Sequence, residues 1–158
     1  MTDREQDAVP GPDASVTLRE VTDATLRSVL NLAVRPDQEG FVAPNAVSIA
    51  EAYFEPKAWF RAIYADETPV GFVMLFDDAE APEYFVWRFM IDARYQRHGY
   101  GRRAMTLLID YVRTRPNAHE LLLSYVPAEG GPEPFYASLG CVNTGRLLDD
   151  ELVMALAL

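Results

Sequence analysis

The chain has 158 residues, of which 49% are hydrophobic and 24% charged. That length makes one domain and buries a core without disulfides or metals. Lys and Arg number 14 against 24 Asp and Glu, a net charge of −10. This excludes general nucleic-acid or anionic-membrane binding, which needs a basic face, and favours cationic or neutral partners. The single cysteine, Cys141, forms no internal pair, so a reducing cytoplasm fits. His98 and His119 are too few and too isolated for a metal site. No signal-like apolar stretch opens the chain, and its longest apolar run, Phe72–Phe76, is too short to span a bilayer.

Residues 1–15 carry Asp3, Arg4, Glu5, Asp7 and Asp13 with two prolines and little apolar surface, and read as a disordered acidic leader. From Val16 the alternation of Val16, Leu18 and Val21 predicts a first strand. Thr22 or Asp23 then caps a helix to about Ala33, with Leu26, Val29, Leu30 and Ala33 at helical spacing. A turn-rich loop follows, Arg35 to Asn45, and Ser48 with Glu51 has the spacing of a capping box for a helix ending near Phe54. Strands are predicted over Trp59–Tyr64, Val70–Phe76 and Tyr84–Asp92, with Asp66 to Pro69 as the first turn.

After the third of these strands comes Gln96-Arg97-His98-Gly99-Tyr100-Gly101, and then a helix with Ala104, Leu107, Leu108, Tyr111 and Val112 on one stripe, stopped by Pro116. Glycines at 99 and 101 allow close backbone approach. The free amides of the helix's first turn, with Arg97 and Arg102 beside them, make an anion site suited to a phosphate or pyrophosphate. A strand over Glu120–Val126 follows, then a short helix from Pro132 to Leu139 closed by Gly140. Cys141–Leu147 and Leu152–Leu158 are the last strands, with Cys141 packing rather than reacting. Gly99-x-Gly101-x-x-Ala104 also mimics a dinucleotide fingerprint, but too little chain remains for that fold. No Lys-Ser or Lys-Thr follows Gly101, which excludes a P-loop.

Gln96-x-x-Gly99-x-Gly101 at a strand end resembles the acetyl-CoA signature of the GCN5-related N-acetyltransferase (GNAT) superfamily. Phe135-Tyr136-x-x-Leu139-Gly140-Cys141 resembles its second signature, and the order of elements from Val16 to Leu158 is that family's order. The resemblance implies an α/β fold with a mixed, mostly antiparallel seven-stranded sheet flanked by about four helices. It implies direct acetyl transfer from acetyl-CoA to a primary amine, without a metal. Pantetheine would lie against Phe89, Met90 and Ile91 in a gap beside a bulged strand, in the manner of an added strand. The pyrophosphate would sit on Gln96, Arg97, His98, Gly99, Tyr100, Gly101 and Arg102, with His98 serving through its backbone. Tyr136 matches the family's general acid.

Two positions depart from the family pattern. Glu129 stands where many relatives carry a cofactor-contacting Asn, and Phe85 and Trp87 stand where some carry a glutamate base. Glu83 shares their strand face by period-two counting, and a water relay is an equal candidate, so no base is assigned. The segment from Asp37 to Phe54 and Trp87-Arg88-Phe89-Met90-Ile91-Asp92 resemble the bacterial spermidine and diamine acetyltransferase branch. Carboxylates Asp37, Glu39, Glu51 and Glu55 with Phe41, Tyr53, Phe54 and Trp59 would then wall an acidic, aromatic cleft for a polyamine. An aminoglycoside-type drug is the alternative acceptor, and a non-catalytic CoA- or ligand-binding sensor the alternative of another class. A cytoplasmic homodimer is the family-level expectation.

Overall fold

The computed structural model describes residues 9–158. Seven strands form one sheet: β1 (Val16–Arg19), β2 (Ala58–Ala65), β3 (Thr68–Asp78), β4 (Glu83–Ile91), β5 (Glu120–Tyr125), β6 (Val142–Leu148) and β7 (Glu151–Ala157). Their order is β1-β2-β3-β4-β5-β7-β6, and every neighbouring pair is antiparallel except β4 with β5. Helices α1 (Leu26–Leu30), α2 (Asn45–Phe54), α3 (Tyr100–Arg113) and α4 (Glu133–Ser138) complete the fold, which is the expected α/β arrangement.

Strand alternation divides the core between the two faces of the sheet. On β2, Ile63 and Ala65 join a cluster with Ala104, Met105, Leu108 and Val112 of α3 and Tyr136 of α4. Ala62 and Tyr64 join a second cluster with Val29 of α1, against which Ile49 and Ala52 of α2 pack. Both faces are therefore covered, which is why β3 reads as a near-continuous apolar run.

Three local expectations need correction. The first helix was expected to run to Ala33 but ends at Leu30. Buried Asp92 accepts a hydrogen bond from the Ala33 amide at 2.9 Å, and the Ala93 amide donates to the Ala33 carbonyl. That clamp commits Ala33 to the end of β4 and draws the chain out of the helix. The Ser48–Glu51 capping box does not form: α2 begins three residues earlier, Ser48 Oγ donates back to the Pro44 carbonyl, and Glu51 pairs with Arg88. The disordered leader was expected to reach Ser15, and its first eight residues lie outside the described range. Its later part docks on α3 instead. Ala14 is buried, Tyr100 Oη donates to the Gly11 carbonyl, and Arg103 donates to the carbonyls of Pro12 and Ala14.

Candidate active site

A β-bulge opens the site. On β3, Met74 is opposite Arg88 but Leu75 is opposite Val86, so Trp87 is the extra residue of β4. Before the bulge, Tyr84 and Val86 face α3; after it, Phe89 and Ile91 do. The extra residue thus reverses the alternation, and Trp87 and Met90 both pack toward the α1–α2 side. Pairing of β4 with β5 stops at the same place, being limited to Phe85 with Leu122 and Val86 with Leu123. Beyond Val86 the two parallel strands diverge and leave the β5-facing edge of β4 without a strand partner.

A cleft of about 1060 Å³ occupies this divergence. Its floor includes Phe89, Met90 and Ile91, and one end is the turn before α3, with Gln96, Arg97, Gly99, Tyr100, Gly101 and Arg102. Arg97 and Gly99 both have left-handed backbone, at φ 69° and 79°. Arg97 and Arg102 make no ion pair among the described residues. Gln96 has a supporting position: its Nε2 donates to Gln38 Oε1 at 2.8 Å and to the Ile91 carbonyl at 2.9 Å, tying the α1–α2 connection to the end of β4. Gly101 lies against the side chains of Ile91, Phe89 and Phe135, which a Cβ there would meet in ordinary contact at 3.6 Å.

Tyr136 enters the cleft from α4 and is 7% exposed. Burial, followed by the nearby Cys141 and Glu151, pushes its phenol well above the usual tyrosine range, so it stays protonated across the physiological range. Neighbouring hydroxyls are committed, Tyr100 to Gly11 and Tyr125 to Asn143. That of Tyr136 bonds to no other described residue. Cys141 is buried, and burial pushes its thiol up as well, which suits packing and not nucleophilic chemistry.

Several sequence-derived assignments lie elsewhere. His98 stacks on Tyr100 with centroids 5.3 Å apart and does not line the cleft. Glu129 is exposed and outside it, although Gly130, Gly131 and Pro132 line it. Glu83 borders a separate depression of about 390 Å³ beside Asn117 and His119. Glu51 is engaged by Arg88 Nη2 at 3.1 Å, while the buried Nε of Arg88 has no partner. The aromatic wall expected from α2 is absent, because Tyr53 and Phe54 point outward at 84% and 83% exposure. Trp59 stacks on Tyr111 at 4.4 Å against the α3 core. Of the acceptor candidates, Glu39, Phe41, Phe85 and Trp87 do line the cleft. Sequence reasoning missed Ser124, Asp149 and Glu151, which line it from β5 and from the β6–β7 hairpin. The one signal was Ser124, a lone polar residue within the apolar run Leu121–Tyr125.

The family model described as the acetyltransferase (GNAT) family matches residues 25–140. The chain belongs to the GNAT acetyltransferase family. A spermine/spermidine N(1)-acetyltransferase of Bacillus subtilis (strain 168) is 29% identical over 120 residues, covering 70% of this chain and 76% of that one. Among solved structures, a domain from Methanocaldococcus jannaschii superposes with a TM-score of 0.73 at 15% identity, covering 92% of this chain and 100% of that one. The spermidine N-acetyltransferase of Vibrio cholerae, in complex with CoA and spermine, superposes at 0.70 with 18% identity, covering 90% and 95%. The ribosomal-protein-S18-alanine N-acetyltransferase of Escherichia coli gives 0.66 at 17% identity, covering 90% and 94%. Proteins of this GNAT fold thus act on unlike amines, and the fold by itself does not choose the acceptor.

Proposed function

We propose that this GNAT acetyltransferase moves the acetyl group of acetyl-CoA to a primary amine of a polyamine. The observation that carries the reading is the division of charge along one cleft. Arg97, Arg102 and the amides of the turn before α3 stand at one end, fitted to a pyrophosphate. Asp149 and Glu151 line the cleft from the β6–β7 hairpin, and Glu39, Phe41, Phe85 and Trp87 line it too, while Arg88 beside them is paired with Glu51. An extended polycation finds charge and apolar surface there for its ammonium groups and its methylenes. The 29% identical Bacillus relative, whose name gives spermine and spermidine as acceptors, supports the same class.

Acetyl-CoA supplies the thioester whose acetyl group is transferred. The chain's own residues bind and orient it: the unpaired edge of β4 over Arg88–Ile91 offers main-chain groups to an extended amide-bearing arm, as a strand would. Tyr136, free of other hydrogen bonds and held protonated, gives its phenolic proton to the departing sulfur. Glu129 has no part in this reading.

The test is free-thiol release from acetyl-CoA against spermidine, spermine, putrescine and an aminoglycoside panel. Saturable turnover with a polyamine is expected, with none from the drugs. Turnover with drugs alone would replace the acceptor. Silence throughout, with acetyl-CoA still binding by calorimetry, would favour the sensor.

A further inference from the structure

The cleft passes through the sheet and presents chemistry on both faces. Tyr125 and Leu152 are register partners on β5 and β7, and both pack into the α3–α4 core. By strand alternation Ser124 and Glu151 project from the opposite face. Tyr136 comes from α4, on the core side. Ser124 Oγ donates to Glu151 Oε2 at 3.1 Å, and both residues line the cleft with Tyr136. Glu151 is half-buried, whereas Glu39 and Asp149, the other cleft carboxylates, are exposed. After burial and Cys141, the charge of Glu151 is the remaining influence that raises the Tyr136 phenol, so the two groups feel each other across the gap. No carboxylate of β4 lines the cleft, since Glu83 borders the other depression.

We infer that Glu151, oriented by Ser124, takes the proton from the acceptor amine on the face of the gap opposite Tyr136. The inference rests on the acetyl-transfer reading above and supplies the base that the sequence left unassigned. The acceptor ammonium gives one proton to the Glu151 carboxylate, which passes it to water. The freed amine nitrogen attacks the acetyl carbonyl carbon, forming the C–N bond and releasing its second proton to Glu151, which passes that one to water as well. The C–S bond breaks with its electron pair on sulfur, which takes the Tyr136 proton, and water restores that proton. One proton is released overall. Ser124 is a positioning residue in this scheme.

The decisive variant is Glu151→Gln, whose amide oxygen still accepts from Ser124. With both spermidine and butylamine, the latter at high concentration as an unspecific amine, kcat should fall about 100-fold; the spermidine KM, which also loses one cleft carboxylate, should rise by far less than kcat falls. Formate should restore part of the rate to Glu151→Ala, and Ser124→Ala should lose a smaller part of kcat. A raised KM with unchanged kcat would make Glu151 a binding charge only and overturn the inference. Wild-type silence with both amines would also overturn it. Activity with butylamine but not with spermidine would remove the polyamine reading alone, with the variants still tested on butylamine.

Discussion

Gly99 is where backbone geometry and ligand binding meet in one residue. Its φ of +79° lies in the left-handed region, with open space where a Cβ would stand. Gly99→Ala should therefore cost about 1 kcal/mol through backbone strain alone, without a clash. Thermal denaturation would register that loss, and calorimetry should show weaker CoA binding as the turn relaxes. No thermal loss would mean that the turn holds this angle without needing glycine. The motif Gln96-x-x-Gly99-x-Gly101 made this turn legible from sequence, because its chemistry is local: amides, glycines and arginines within the seven residues from Gln96 to Arg102. Glu151 was not legible for the opposite reason. Asp149-Asp150-Glu151 reads as a charged hairpin turn, and only the pairing of β5 with β7 brings its last member to Ser124.

At the scale of elements, the end of β4 holds the site together. Asp92 is 3% exposed and accepts from the backbone amides of Ala33 and Arg94 and from the Arg94 guanidinium. Burial alone would push its carboxyl up; the hydrogen bonds from Arg94 and Ala33 outweigh it and hold the group below the usual range. A depressed carboxylate stabilises the fold fully above its unfolded value of about 4, and that contribution is lost as pH falls through the folded value. Asp92→Asn should thus cost about 2 kcal/mol at neutral pH, with the gap from wild type closing in acid. Urea denaturation at several pH values checks it, and a gap independent of pH would exclude the ionic account.

Gly71 of β3 fixes the same strand from its other side. A Cβ there would lie 2.4 Å from the Met90 carbonyl oxygen and 2.8 Å from Ile91 Cδ1. Gly71→Ala should destabilise by about 3 kcal/mol and weaken CoA binding, since Met90 and Ile91 floor the cleft. A stable variant with unchanged CoA affinity would show that β4 can move freely at that point. The strands were readable from sequence because apolar alternation reports burial directly. The helix ends were not, because α1 stops at a buried carboxylate 59 residues away in sequence. The bulge at Trp87 was implied only by family resemblance, as nothing in its own residues announces it.

For the molecule as a whole, the acidic net charge of −10 is not spread evenly over the cleft. Glu39, Asp149 and Glu151 line it, and two arginines, Arg97 and Arg102, stand at the turn before α3. Opposite charges in one continuous space suit two ligands of unlike charge, as the proposed reaction needs, which a single strongly acidic surface would not. Composition pointed to a cationic or neutral partner, and the resemblance of the Asp37–Phe54 segment put the acids and aromatics for it between α1 and α2. Tyr53 and Phe54 look like cleft walls in sequence, yet α2 turns them outward; Glu39 and Phe41 do line the cleft, joined by Asp149 and Glu151 of the β6–β7 hairpin. Helical spacing fixes which residues share a face, while the neighbour that face meets is set by the whole fold.

Acetyl transfer in the gap between β4 and β5, with Tyr136 as proton donor, is the reaction proposed for this chain. Its most direct test is Tyr136→Phe, measured for acetyl transfer to spermidine and, by calorimetry, for CoA affinity. For this variant kcat should fall at least 100-fold while CoA affinity stays within about twofold, because the phenyl ring keeps its packing. Turnover at the wild-type rate would contradict it.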